Sequence, residues 1–397
     1  MNGWVAGPLL VLLLWALALL AFAAPLRARW REPVFRHPLL VIESDDWGAG
    51  PLAQAEILDA IASTLRSFRD RAGRHPVMTL GIVLEAPDAE RMKREGLAGY
   101  YGRGLDDAQY APLRNAIESG VEAGVFARQL HGQSHYWPQT LMAAARTDTK
   151  VRAWLATSPP ALTEDLPTPL QSRWIDASRL PSQPLDSHEI ATAVADEATT
   201  HRRIFGASPE VAVPNTFVWN ADVERAWKTA GVDVVITPGR RATSRDSAGG
   251  LAEIDRLMLT GDASDAGQCY LVRDVFFEPA LGHPVQRLLD GLAERTRQGR
   301  ACLAETHRFN FLQQFERSLE ALRAAIASSL DAYPDLRFAA SIEIARAIRR
   351  GDATLVESRL LPRLRAWLAR LHEIPRFRRV ALFTGLLIPI RLLEHAL

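Results

Sequence analysis

The chain has 397 residues, 48% of them apolar and 23% charged, the composition of a folded globular protein with room for one large core or two modest ones. A formal charge of +1 argues against a broad nucleic-acid surface, so no nucleic-acid partner is expected. Cys269 and Cys302 are the only cysteines; each lies in or beside an apolar run and reads as an unpaired core residue, without a disulfide framework.

Trp4 to Leu26 carries no charge over about 23 residues, enough to span a bilayer. Ala21-Phe22-Ala23 resembles a signal-cleavage site, but no Lys or Arg precedes it, so residues 1–30 are expected to form an uncleaved, single-pass N-terminal transmembrane helix at the cell membrane. Arg27, Arg29, Arg31 and Arg36 follow, and the positive-inside rule would put them, and the domain behind them, in the cytoplasm.

From 36 to 350, short apolar runs alternate with amphipathic stretches. The expected strands are Leu39–Ser44, Val77–Leu84, Val125–Leu130, Val211–Val213, Val232–Thr237, Val272–Phe277, Ala301–Glu305 and Arg337–Ala340. Helical segments Ala53–Ala72, His188–Phe205, Ala221–Ala230, Pro284–Gln298 and Phe311–Ala332 fall between or after them. This alternation, with strands apolar on both faces, predicts an α/β fold whose parallel sheet closes into a barrel. Residues 157–187, rich in Pro and Ser, read as a long loop or lid. The tail, 355–397, is basic and apolar together: Leu360, Leu361, Leu364, Trp367, Leu368 and Leu371 form a helical stripe flanked by arginines, which suits an anionic membrane surface. The apolar run Val380 to Ile390 within it is too short to span a bilayer.

Two strings carry chemistry. Ser44-Asp45-Asp46-Trp47-Gly48 delivers adjacent carboxylates to the end of a strand, and His131-Gly132-Gln133-Ser134-His135 sets two imidazoles four residues apart, which one helical turn would aim at one point. One carboxylate and two neutral imidazoles make a three-ligand divalent-metal site, and the second carboxylate could deprotonate water. Glu305-Thr306-His307-Arg308-Phe309-Asn310 follows another strand and brings a further imidazole to the same rim, where α/β folds place their active sites. Trp47, Tyr136, Trp137 and Trp219 lie beside these strings and would suit stacking on sugar rings.

In the order and spacing of these pieces the chain resembles the polysaccharide deacetylase superfamily, the NodB-homology or family 4-like carbohydrate esterases, over roughly Leu39 to Ala340. The resemblance implies a distorted parallel (β/α) barrel that removes acetyl groups from N- or O-acetylated poly- or oligosaccharides with a divalent metal. Asp45 would be the general base, Asp46, His131 and His135 the metal ligands, and His307 the acid that protonates the leaving group. Asn215, Arg308 and Asn310 join the four aromatics as substrate-binding candidates. Zinc suits two imidazoles and one carboxylate best.

Two departures stand out. Trp47 interrupts the usual Asp-Asp-Gly, and the stretch Val211-Ala212-Val213-Pro214-Asn215 lacks the Arg that orients the base; Arg308 or Arg273 would have to supply that charge. The sequence therefore supports three readings: a membrane-anchored deacetylase of a cell-envelope carbohydrate, a deacylase or deformylase of a lipid-linked sugar at the cytoplasmic leaflet, and an inactive glycan-binding or scaffold barrel.

Overall fold

The computed structural model describes residues 3–157 and 162–397. Nine parallel strands form one sheet: β1 Leu39–Gly48, β2 Met78–Val83, β3 Phe126–Leu130, β4 Val211–Ala212, β5 Val234–Thr237, β6 Cys269–Val272, β7 Val275–Phe276, β8 Ala301–His307 and β9 Arg337–Phe338. Eight follow the order β6-β5-β4-β3-β2-β1-β8-β7, and β9 lies beside the start of β1. The two edge strands are separated in the chain only by Arg273 and Asp274. The sheet therefore curls until both edges meet in one extended segment, whose first half bonds β5 and whose second half bonds β8. The expected run Val272–Phe277 thus straddles this seam, beginning with the last residue of β6 and taking in β7.

Alternation along the strands sorts the core. In β1 and β8, Leu40, Ile42, Cys302 and Ala304 belong to the large apolar cluster that includes the surrounding helices. Leu39, Val41, Ala301 and Leu303 join Val211, Val234, Ile236 and Leu271 in a second cluster on the other face. Further along the same face the side chains turn polar: Glu43 and Asp45 on β1, Glu305 and His307 on β8, all buried or nearly so. One face of the curled sheet is thus oily at the strand starts and ionisable at the strand ends. Cys269 and Cys302 are buried and unpaired.

Helices Gln54–Arg66, Ser187–Phe205, Ala221–Ala230, Val285–Arg297 and Phe315–Ala332 fall close to the expected segments. The boundaries of two of them follow from capping: Asp186 and Asn220 accept the first free amide protons, and Gly206 and Gly231 end the same helices in the left-handed region. An antiparallel hairpin, Arg240–Arg245 with Leu251–Leu257, was not anticipated. Within 157–187, residues 158–161 lie outside the described part. The remainder is short 3₁₀ turns and the two-residue strands Ile175–Asp176 and Gln183–Pro184.

The expected single unbroken transmembrane helix is replaced by a bent pair, which only together has the length and composition of a span. The apolar stretch forms two helices, Gly3–Ala21 and Ala23–Arg31, that bend by 64° about Phe22, and among the described residues no single helix is long and apolar enough to cross a membrane. The basic tail folds into helices Leu360–Arg370, Pro375–Phe383 and Leu387–Ala396, which pack against the N-terminal pair through Ala18, Leu26, Leu368, Leu371, Phe377, Ala381 and Leu386. Trp15 Nε1 donates to Thr384 O (2.8 Å) and Trp367 Nε1 to Leu26 O (2.9 Å).

Arg370 fastens this bundle to the barrel. Its guanidinium, wholly buried, donates to the carbonyls of Gln298 (2.8 Å), Glu32 (2.9 Å), Arg29 (3.1 Å) and Pro33 (2.7 Å). Truncating it would strand several buried acceptors at once, so Arg370→Met is expected to cost roughly 3–5 kcal/mol. Chemical denaturation of the purified chain measures this; an unchanged midpoint would rule out the fastening role.

Candidate metal centre

The metal centre begins with an irregularity in β1. Adjacent side chains of a regular strand point to opposite faces, so Asp45 and Asp46 should diverge. Instead the pairing of β1 with β2 shifts between Ser44 and Trp47, and Asp46 adopts φ 72°. This bulge adds a residue and turns both carboxylates toward the strand ends. It also sends Trp47 to the outer face, where the indole is wholly buried and donates to Ser44 Oγ (2.8 Å). The expectation of Trp47 at the rim is therefore corrected.

His131 and His135 do converge, but not on a helix. They flank a loop after β3 that turns at Gly132 (φ 95°), with ring centroids 4.9 Å apart. Their Nε2 atoms lie 3.3 Å and 3.1 Å from Asp46 Oδ1. Among the described residues, Asp46, His131 and His135 form a group whose ligand atoms all lie within 4.8 Å of one another. His131 Nδ1 lies 2.9 Å from Val213 O; as the donor to that carbonyl it leaves Nε2 with a lone pair for a cation. Asn215 Nδ2 donates to His131 O (2.8 Å), which supports the loop rather than the substrate. Asp46 Oδ1 is buried with no hydrogen-bond donor facing it. An acceptor-only oxygen and two imidazole nitrogens with nothing else between them fit a divalent cation.

Burial raises the Asp46 carboxyl pKa, but the adjacent His135 and His131 outweigh it, leaving it well below the usual range. Burial likewise lowers His131, while Asp45 and Asp46 raise it, with a net rise.

Asp45 lies beside the metal ligands. Its Oδ2 accepts from Arg273 Nη2 at 2.6 Å, and Arg273 also contacts Glu305 (3.1 Å) and Glu43 (3.5 Å). One buried guanidinium thus serves three buried carboxylates. Burial pushes Glu43 and Glu305 upward, toward neutrality; it pushes Asp45 up as well, but there Arg273 and His131 prevail and hold the carboxyl below its ordinary value. Of the two candidates for the missing orienting charge, Arg273 occupies the position. Arg308 sits behind, near Glu164 (3.6 Å) and Thr163. Gly81 makes room for this carboxylate, since a Cβ there would stand 2.3 Å from Asp45 Oδ1.

His307 pairs with Asp45 across the β1–β8 ladder. Its Nδ1 donates to Glu278 Oε1 at 2.6 Å, while Glu305, the neighbour anticipated as a structural partner, is 3.9 Å away. Burial lowers the imidazole pKa, but the Glu278 hydrogen bond and charge outweigh it and lift it to about 10. Asn310 donates to Glu278 and to His307 O (2.9 Å), so it buttresses this pair. Glu278 was missed in the sequence; its signal was a carboxylate at the end of the apolar run Val272–Phe277.

A cavity of about 370 Å³ opens over these groups, lined by Asp45, Asp46, His131, His135, Arg273, Glu305 and His307. Phe217, Phe276, Phe309 and Leu251 supply apolar wall, and Glu164 from the 162–187 loop reaches the same space. Of the aromatics expected to stack on sugars, none lines it. Trp219 is buried and donates to Glu224 (2.8 Å), Trp137 is buried in the core, and Tyr136 borders a smaller adjoining space with its hydroxyl on Tyr100 (2.9 Å). Asn215, Arg308 and Asn310 stand behind the lining.

No family model and no curated protein matches the sequence. Similar solved structures include a Mycobacterium smegmatis protein assigned as a polysaccharide deacetylase (11% identity, 83% of this chain and 97% of that chain, TM-score 0.43). Others are a family 4 carbohydrate esterase from Streptomyces lividans in complex with acetate (10%, 76% and 91%, 0.34) and a 4-alpha-glucanotransferase from Thermococcus litoralis (9%, 78% and 40%, 0.38). All three scores lie below 0.5, so the site geometry alone carries the reading below.

Metal analysis after desalting is expected to give one cation per wild-type chain and none for Asp46→Ala, while Asp45→Asn retains its cation. Because protons compete for His131, whose pKa is raised, occupancy should begin to fall already above the ordinary imidazole value of about 6.5 as the pH is lowered. Equal occupancy in wild type and Asp46→Ala would dismiss the site.

Proposed function

We propose that the protein is a metal-dependent hydrolase that releases acetate from an N- or O-acetylated carbohydrate. The observation that carries this reading is the convergence, over one cavity, of a candidate cation-binding triad with the Asp45 carboxyl and the His307 imidazole. A cation held by Asp46, His131 and His135, best matched by zinc, would supply Lewis-acid activation of water and of the acyl carbonyl. Asp45, kept ionised by Arg273, takes the proton from the attacking water. The water oxygen bonds to the acyl carbon, the bond to the sugar nitrogen or oxygen breaks, and His307 delivers its proton to that leaving atom. Glu278 keeps His307 protonated at neutral pH and fixes its ring. Phe217, Phe276 and Phe309 offer apolar surface to the sugar and the acyl methyl.

The apolar wall also accommodates a substrate with a greasy aglycone, which keeps a lipid-linked sugar as a second substrate class. The inactive-barrel reading loses both of its supports, since Arg273 replaces the missing arginine and Trp47 faces away from the cavity.

Acetate release from acetylated oligosaccharides is expected to vanish on chelation, return with added zinc, and fall about 10³-fold in Asp45→Asn. Activity that survives both treatments would refute the hydrolase reading. A pH profile tests the acid. His307 must start protonated, so wild-type activity should persist through neutrality and fall as pH rises through about 10. In Glu278→Gln that alkaline limb should move down toward the ordinary imidazole value of about 6.5. A limb that stays in place would remove Glu278 from this role.

A further inference from the structure

We infer that the two chain ends together form a foot that seats the protein on an anionic lipid bilayer, with the tail inserted beside the N-terminal helix. The bundle presents both cations and apolar surface. Phe22 meets Phe377 (ring centroids 5.6 Å), and Arg27 and Arg31 on the helix after Phe22, with Arg376 and Arg379 on the helix that holds Phe377, are exposed. A second contact joins Trp15 to Thr384. Leu382 (61% exposed), Phe383 (82%) and Ile388 (65%) project there, and Leu9 to Leu14 on the N-terminal helix are exposed in an unbroken run. An apolar tip of this extent on a folded chain marks an interaction surface.

Charge chooses the occupant. Glu32 and Glu373 are taken up by Arg300, and Glu394 by His372. Among the described residues, Arg27, Arg31, Arg376 and Arg379 pair with no carboxylate. A greasy tip with a collar of unpaired cations matches acyl chains beneath anionic headgroups, where each arginine near the surface adds attraction.

Flotation of the full-length chain with vesicles provides the test, using phosphatidylcholine alone and phosphatidylcholine with about a third phosphatidylglycerol. An environment-sensitive fluorophore on Phe383→Cys should brighten with vesicles and be quenched by acyl-chain-labelled lipid; the same probe on Glu320→Cys should do neither. Both native cysteines are buried, which leaves the introduced thiol as the labelling site. Arg376→Glu with Arg379→Glu should lower partitioning onto anionic vesicles about tenfold and leave neutral vesicles unaffected. These exposed substitutions should keep the wild-type thermal midpoint. A probe at 383 that stays in water while the chain floats would overturn the proposal, leaving only the N-terminal helix in the lipid. So would a probe already shielded without vesicles in a dimeric species, which would make the tip a contact between copies.

Discussion

A single buried guanidinium holds the centre of this molecule together. Arg273 sits where one extended segment passes from bonding β5 to bonding β8, so it stands at the meeting of the two sheet edges. Three buried carboxylates surround it, and one positive charge cannot keep all three ionised at such depth. The shortest contact, to Asp45, wins the charge, while Glu43 and Glu305 are driven toward neutrality. Glu43 also accepts hydrogen bonds from Ser341 and Gln129, which lower its pKa but do not offset the rise that burial imposes. The carboxylate that stays ionised is thus selected by geometry among chemically equivalent acids, and the meeting of the sheet edges and the charge beside the candidate cation site depend on the same side chain.

The second constraint is the bulge beside it. Without the left-handed Asp46, strand alternation would turn one of the two carboxylates outward, away from the cavity and the two imidazoles. Strain of this kind persists only when its surroundings over-determine it, and here they do. The Trp47 indole fixes the outer side, and the absence of a side chain at Gly81 opens the inner side for Asp45. Trp47 is then explained as the residue that the extra position displaces into the core.

Much of this was legible in the sequence because it rests on local signals. Apolar runs of β-branched residues marked most of the strands, and residues placed just past strand ends marked Asp45, Asp46, His131, His135 and His307, which do line one cavity. What escaped was set by tertiary context. The four-residue spacing of the histidines suggested a helix, but Gly132 lets a loop perform the same convergence. Aromatic neighbours in sequence suggested sugar platforms, yet the bulge and the core claimed Trp47 and Trp219, and the wall is built from phenylalanines scattered between 217 and 309. Glu278 and Arg273 carried no motif of their own; only the seam between β6 and β8 brings them to Asp45 and His307. The apolar N-terminal segment looked like an autonomous span because its partner, the tail, lies more than 300 residues away.

The seam also relates the site to the terminal helices. In an extended segment neighbouring residues face opposite ways, so while Arg273 points in at Asp45, Asp274 points out and meets Arg295 (3.2 Å). Arg295 in turn contacts Glu373 (3.5 Å), which Arg300 shares with Glu32. One peptide unit therefore separates the charge network around Asp45 from the network that binds both chain ends to the sheet. A foot attached through so short and so buried a path holds a fixed orientation relative to the cavity. An enzyme seated on that foot would present its metal centre to a surface-bound substrate at one height and angle, with no flexible linker to search for it.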